Sequence, residues 1–392
     1  MADTGRSSST SRSMAFRRRF EHAFCSATSA VTALRFARLA PGLLAWGDER
    51  GAVSVAATPW KGGTPRVILV LRGGHGASVT DLDWSANNAV LASCAADGTA
   101  CVWSVADGRR LRRFVCRAGA VGSRAGCSLT VADEEDREAG QQVANLVLLG
   151  TLGDGVLLAN LGSGQCVARC LPGERVAALE TAGASLLVAR ADASELVALS
   201  LDAPQAGTQG QPLRTLQRLR APGVPRGAGA VRLEILAGDA VWPWVRLEGG
   251  DLDRVAALTT ADGTLSLFHV PADPPRSRPV FALSASAARV TAIAPAPLAQ
   301  FALSRDGMRG LAPQAAIGGR ADALVTLVAP PAPVPGTVQR LGDEDERGGR
   351  VWTLRGQASS VPCVDWSFRG LFLASADATG NVLLWCKHEL SA

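Results

Sequence analysis

The sequence predicts an all-β protein assembled from repeats. Three observations lead there. Two stretches of some thirty residues align without a gap at a distance of 282 positions, and strand–turn–strand pairs recur along the rest of the chain. The 392 residues are 47% hydrophobic and 19% charged, enough apolar content to bury a sizeable core.

The repeat is explicit between Gly74-His75 through Trp103 and Gly356-Gln357 through Trp385. Val79 aligns with Val361, Asp83-Trp84-Ser85 with Asp365-Trp366-Ser367, Leu91-Ala92-Ser93 with Leu373-Ala374-Ser375, and Gly98 with Gly380. In the first copy Asp97-Gly98 is a tight-turn pair between two short runs, Leu91–Cys94 and Ala100–Trp103, the usual cue for a hairpin. The pattern Gly74-His75, Asp83-Trp84-Ser85, Leu91-Ala92-Ser93, Asp97-Gly98-Thr99 and Trp103 resembles the repeat of the WD-repeat β-propeller family. That resemblance implies a ring of blades, each a four-stranded sheet. It also implies that His75, Ser93, Asp97 and Trp103 form a hydrogen-bonded chain satisfying buried polar groups, so that His75 is structural and not catalytic.

The elements follow in order. The first blade is expected over residues 31–71, turning at Asp48–Gly51; the second, 79–116, is the explicit repeat. The third, 127–170, turns at Asp154-Gly155, and the fourth, 175–219, around Asp192. The fifth, 231–286, turns at Asp262-Gly263, the sixth, 289–354, at Arg320–Asp322, and the seventh, 361–388, is the second explicit copy. In the weaker blades the family's Trp becomes Asn160, Ala198, Phe268 or Val328, and the last blade has Gln357 for His and Thr379 for Asp. Only the second blade carries all four polar partners, so the weaker ones are expected to rest mainly on apolar packing.

Closure is the next requirement, because an open ring exposes two sheet edges. The chain ends seven residues after Trp385, too soon for a well-formed outermost strand in the last blade. Phe16–Cys25 is expected to supply it. The expectation is therefore an all-β, seven-bladed propeller closed by an N-terminal strand, one domain over residues 16–392 behind a disordered basic tail at 1–15.

Composition narrows the function. Apolar runs such as Val67–Leu71 stop long before the roughly 18 residues a membrane helix requires, so no membrane association is expected. Nine cysteines, an odd number without paired spacing, fit the reducing nucleus or cytosol. Cys94 and Cys101 flank the turn of the second blade and are expected to face each other across it as small core residues. Of the net charge of +5, residues 1–20 hold five arginines against Asp3, which leaves the body near neutral. With no stretch interleaving aromatic and basic residues, direct nucleic-acid binding is not expected.

Known catalytic patterns do not occur. Neither Lys61 nor Lys387 follows a glycine, as a phosphate-binding loop needs, and there is no Gly-x-Gly-x-x-Gly, Gly-x-Ser-x-Gly or His-Glu-x-x-His. Cys166 and Cys170 lack a second Cys or His pair nearby in sequence, and His22, His75, His269 and His388 are scattered. A site in the central channel would need converging polar side chains, of which the sequence offers few. No catalysis, metal or cofactor is expected.

The insertions suggest where a partner docks. Asp133–Gln142, Ala237–Asp253 and Ala294–Pro313 fall between first and second strands of blades three, five and six; Asp202–Pro212 and Pro330–Gly349 fall between third and fourth strands of blades four and six. All five belong to one face. It collects Asp133, Glu134, Glu135 and Asp136, then Asp343, Glu344, Asp345 and Glu346, and the pair Trp242 and Trp244 around Pro243. Two readings stand: solvated spacers with the rings tucked under their loop, or aromatic anchors inside an acidic rim that steers basic segments of a protein partner. Trp84 and Trp366, at matched strand positions, are expected to pack between blades. The family resemblance implies a non-catalytic scaffold for protein–protein interaction, favouring nuclear transcription or chromatin regulation. An adaptor of another class, such as a ubiquitin-ligase substrate receptor or trafficking component, and a structural subunit of a large complex are the alternatives. The oligomeric state is not legible.

Overall fold

A computed structural model describes residues 16–20, 29–38, 42–58, 65–85, 87–116, 127–130, 146–182, 185–201, 213–221, 228–237, 254–261, 264–270, 278–284, 290–295, 315–319, 323–329, 338–340, 350–367 and 372–387. Twenty-nine strands form seven sheets, and no described residue is helical. After β1 (Phe16–Phe20), blade one is β2 (Val31–Phe36), β3 (Leu43–Asp48), β4 (Val53–Ala57) and β5 (Arg66–Leu71). Blade two is β6 (Val79–Trp84), β7 (Val90–Ala95), β8 (Thr99–Ser104) and β9 (Arg110–Val115). Blade three is β10 (Cys127–Thr130), β11 (Leu146–Gly150), β12 (Val156–Asn160) and β13 (Cys166–Cys170); blade four is β14 (Val176–Ala182), β15 (Ser185–Arg190), β16 (Glu195–Ser200) and β17 (Thr215–Arg220). Blade five has β18 (Ala230–Ala237), β19 (Arg254–Thr260), β20 (Thr264–Val270) and β21 (Arg278–Ser284). Blade six has β22 (Val290–Pro295), β23 (Ala315–Gly319), β24 (Leu324–Ala329) and β26 (Arg350–Arg355), while β25 (Val338–Arg340) precedes its last strand. Blade seven has β27 (Cys363–Trp366), β28 (Phe372–Ala376) and β29 (Val382–Lys387).

Why these segments are strands is plain from their burial. The middle strands are mostly apolar and buried along nearly their whole length, as in β7, β15 and β20, because each sheet is covered on both faces by its neighbours. Outer strands have only partial cover, and β5 and β9 expose most of their residues. The apolar clusters join neighbouring blades around the ring. Trp46, Leu44 and Phe36 pack with Phe372 and Leu384 between blades one and seven. Trp84 and Trp103 pack with Val53 and Val55 between two and one, and Trp366 packs with Val325 and Leu354 between seven and six. At the joint between blades one and two Gly47 is needed: a Cβ there would lie 2.3 Å from Val79 Cγ1.

Ring closure uses the N-terminus. The last sheet runs β1-β29-β28-β27, with Phe16 opposite Lys387 and Arg18 opposite Trp385. Residues 1–15 and 21–25 lie outside the described residues. A second added strand is unforeseen by sequence. The connection between β24 and β26 contributes β25, which pairs in parallel with β21 and makes blade five five-stranded.

The expected pairing of Cys94 with Cys101 is corrected. Cys94 lies opposite Ala100, and Cys101 opposite Ser93. The one-residue offset turns the two thiols to opposite faces of the sheet, Cys101 toward blade one and Cys94 toward blade three. Among the described residues no helix is long and apolar enough to cross a membrane, and no group of three or more His, Cys, Asp or Glu could hold a metal ion.

Candidate functional site

The innermost strands converge on one layer of charge. Strand register places Arg35 opposite Ala45, Asp83 opposite Ala92, Glu180 opposite Leu187, Glu234 opposite Ala257 and Asp365 opposite Ala374, the same place in blades one, two, four, five and seven. Ser128 and Ala294 hold it in blades three and six. Arg35, on β2, reaches across the ring: its Nη2 lies 3.1 Å from Glu180 Oε1 and its Nη1 3.3 Å from Glu234 Oε1. Arg38 Nη2 lies 2.7 Å from Asp83 Oδ1 and 3.5 Å from Glu180 Oε2. Arg232 pairs with Glu234 and with Asp365, at 2.5 Å from its Oδ1, and also donates from Nη1 to the Val364 carbonyl at 2.6 Å. Asp365 Oδ2 accepts the Phe36 N–H at 2.7 Å, and Trp84 Nε1–H donates to the Arg35 carbonyl at 3.2 Å.

Three guanidiniums thus face four carboxylates, and burial sets their proton affinities. Burial lifts Glu180 to about 7; Arg38 and Arg35 oppose the lift, while Asp83 and Glu234 add to it. Burial also raises Glu234 against the pull of Arg232. Asp83 is the main cause that raises Arg38. Burial tends to lower Arg35, but Glu180, Asp81, Asp365 and Glu234 together hold it well above its usual value. The guanidiniums therefore stay charged, and Glu180 keeps its proton to higher pH than a solvated glutamate does. This corrects the expectation that the channel offers few converging polar side chains. The signal was in the sequence: once the inner strands are aligned, charge recurs at one position in five blades. Separate strands hide it because each contributes only one or two charged residues, and no strand alone shows that they share a position.

His75, Ser93, Asp97 and Trp103 sit in blade two as one chain with a fifth member. Trp103 Nε1–H donates to Ser93 Oγ at 2.8 Å, and Ser93 Oγ lies 2.6 Å from His75 Nε2. His75 Nδ1 lies 2.6 Å from Thr99 Oγ1, whose hydroxyl donates to Asp97 Oδ1 at 2.5 Å. Because the Thr99 hydrogen is committed to the carboxylate, Nδ1 carries the imidazole proton and Nε2 accepts from Ser93. Burial lowers His75 to about 4, against the pull of Asp97 and helped by Arg113 and Arg110, so the ring is neutral at pH 7. Asp97 also accepts the Gly76 N–H at 2.7 Å.

Blade seven repeats half of this and rebuilds the rest. Trp385 Nε1–H donates to Ser375 Oγ at 2.8 Å and Gln357 Nε2–H to the same oxygen at 2.5 Å. Thr379, at the position of Asp97, does not leave the turn without a carboxylate. Asp377 supplies it from two residues earlier, accepting from Ala358 N–H at 3.0 Å, Thr379 N–H at 3.0 Å and Asn381 N–H at 2.9 Å.

The partner-docking candidates Asp133, Glu134, Glu135, Asp136, Trp242, Trp244, Asp343, Glu344, Asp345 and Glu346 lie outside the described residues. The arrangement that is described pairs charges across blades and satisfies buried polar groups.

Residues 66–104 and 348–386, each running from the outer strand of one blade through three strands of the next, match the family described as WD40: WD domain, G-beta repeat. The β-propeller domain of Cps50 (Swd1) from Myceliophteria thermophila is similar in structure, with a TM-score of 0.61 and 16% sequence identity over 92% of this chain and 97% of that one. The chain is a β-propeller in which two stretches match the WD40 repeat. No curated protein matches the sequence. At that identity the likeness shows the fold alone.

Proposed function

We propose that the chain is a non-catalytic scaffold for protein–protein interaction in nuclear transcription or chromatin regulation. The nuclear setting rests on likeness to WD repeat-containing protein 13, whose final blade reads much like Leu371-Phe372-Leu373-Ala374-Ser375 through Trp385. The docking face is the one from which connections between first and second strands, and between third and fourth, depart. Strand order supports this. In an up-and-down sheet those connections leave at the same end, and the segments containing both acidic runs and the Trp242/Trp244 pair are connections of these two kinds, in blades three, five and six. Acidic loops around aromatic anchors suit a basic segment of a partner.

The test is affinity capture of the tagged protein from its own cells at physiological salt. A second bait lacks 133–142 and carries Trp242→Ala and Trp244→Ala. Nuclear regulators held by the first bait and lost from the second are the expected result, with melting temperatures alike. Ligase or coat subunits would replace the nuclear setting, and an unchanged list would remove the face.

A further inference from the structure

The outer strands differ from the rest of the protein in charge. Across the first six blades β5, β9, β13, β17, β21 and β26 hold ten arginines and no Asp, Glu or Lys, although the chain has 35 acidic residues. In blades one to three Arg66, Arg110, Arg112, Arg113 and Arg169 are exposed. Aliphatic side chains stand among them. Val67 and Ile68 are each 38% exposed, Val70 50%, Val115 66% and Val167 39%, and among the described residues these are the exposed large hydrophobics. All five lie on β5, β9 and β13.

Blade two concentrates these features. A cleft of about 430 Å³ between blades two and three is lined by Arg113, Phe114, Val115, Cys116, Cys166 and Arg169, among others. Arg112 spans the joint, donating from Nε to the Leu161 carbonyl at 2.7 Å and from Nη2 to the Gly162 carbonyl at 2.5 Å. β9 ends its sheet. The Cys116 N–H turns inward to Gly98 O at 2.8 Å, so strand alternation turns the N–H groups of Arg113 and Val115 outward. The molecule twice pairs an added strand onto the outer edge of a sheet, β1 on β29 and β25 on β21.

We propose that the outer edge of blade two, with its cleft against blade three, binds an extended acidic segment of a partner protein as an added strand. The partner's backbone pairs with the outward amides of β9, its carboxylates meet Arg169 across the cleft, and its aliphatic side chains cover Val115 on the strand's other face. A nucleic acid would answer the arginines alone. It would leave the edge amides and aliphatic side chains uncovered, and the one aromatic ring on the described residues of β5, β9 and β13, Phe114, is half-buried against the joint with blade three. This surface is separate from the loop face and stands or falls independently of it.

The full chain is titrated by fluorescence anisotropy against a labelled twelve-residue peptide alternating aspartate and valine. Parallel titrations use the same peptide N-methylated at alternate amides in both registers, and single-stranded DNA of equal charge. The expected result is saturable binding of the plain peptide. N-methylation in one register, and the variant Arg169→Glu, each weaken it about tenfold or more, while the DNA binds less tightly than the peptide. Failure of the plain peptide to bind overturns the proposal. So does equal affinity for both N-methylated peptides, which needs no variant to fold, or tighter binding of the DNA.

Discussion

Arg35 of blade one holds Glu180 of blade four at 3.1 Å, a bridge between innermost strands 145 residues apart in sequence. With Arg38 and Glu234 on either side, the pair ties non-adjacent blades where the apolar clusters join only neighbours. Glu180 is the natural probe of this brace.

Its titration gives the first prediction. Folding raises Glu180 from 4.5 to about 7, so between those values the folded protein holds a proton that the unfolded chain has lost. The stabilisation from this shift is fully present below pH 4.5 and is lost as pH rises through 7. Relative to Glu180→Gln, the wild type is expected to lose on the order of 1–3 kcal/mol of unfolding free energy between about pH 5 and pH 8. Denaturant unfolding at both pH values measures it; a constant difference would mean that Glu180 is ionised throughout.

Trp103 is 3% exposed, packs against blade one and donates to Ser93. Trp103→Ala is expected to cost on the order of 3–5 kcal/mol. Trp103→Phe keeps most of the ring contact and is expected to cost less, about 1–3 kcal/mol, because buried Ser93 loses a donor. Equilibrium unfolding ranks the two. A cost for the alanine variant below about 1 kcal/mol would take the ring out of the core.

Blade seven suggests a replacement for His75. Folding lowers the imidazole from 6.5 to about 4, so the unfolded chain binds the proton first and the stability due to neutral His75 is lost as pH falls through that window. His75→Gln borrows the residue that meets Ser375 in blade seven. That variant is expected to fold and to lose less stability than the wild type between about pH 7 and pH 4. Parallel acid unfolding curves for the two proteins would show that His75 does not contribute to the acid limb.

Gly47 and the Val79 side chain meet at the joint between blades one and two. A Cβ at Gly47 would lie 2.3, 2.4 and 2.9 Å from three Val79 side-chain atoms. Gly47→Ala is therefore expected to destabilise by about 1–3 kcal/mol through overpacking. Adding Val79→Ala makes room, so the double variant should recover part of the loss in the same unfolding assay. Additive losses would show that the two sites do not touch.

Much of the architecture is legible in the residues. Hairpins such as β7–β8 and β11–β12 are spelled by apolar runs around Asp97-Gly98 and Asp154-Gly155, and both glycines take positive φ, 77° and 70°. The added strand β1 follows from the need to cover the edge of β29. The polar chain was legible in part. Thr99 escaped notice because a hydroxyl beside a turn is common, and its role depends on His75, 24 residues away. Asp377 escaped because a gapless alignment assigns the carboxylate's place to Thr379, whereas geometry asks only that some carboxylate reach the Ala358 N–H.

The sequence by itself determined the period of the repeats, the turns and the apolar middle strands, because hydrophobic alternation and turn chemistry are local. Only the tertiary structure decided which charges meet. Arg35, Glu180, Glu234, Arg232 and Asp365 come from four blades, and their pairing exists only where the ring brings innermost strands together. The same holds for the basic outer belt, since a strand's distance from the axis is set by its order in the sheet and not by its residues. Electrostatic contact acts through space, and space is assigned by the fold.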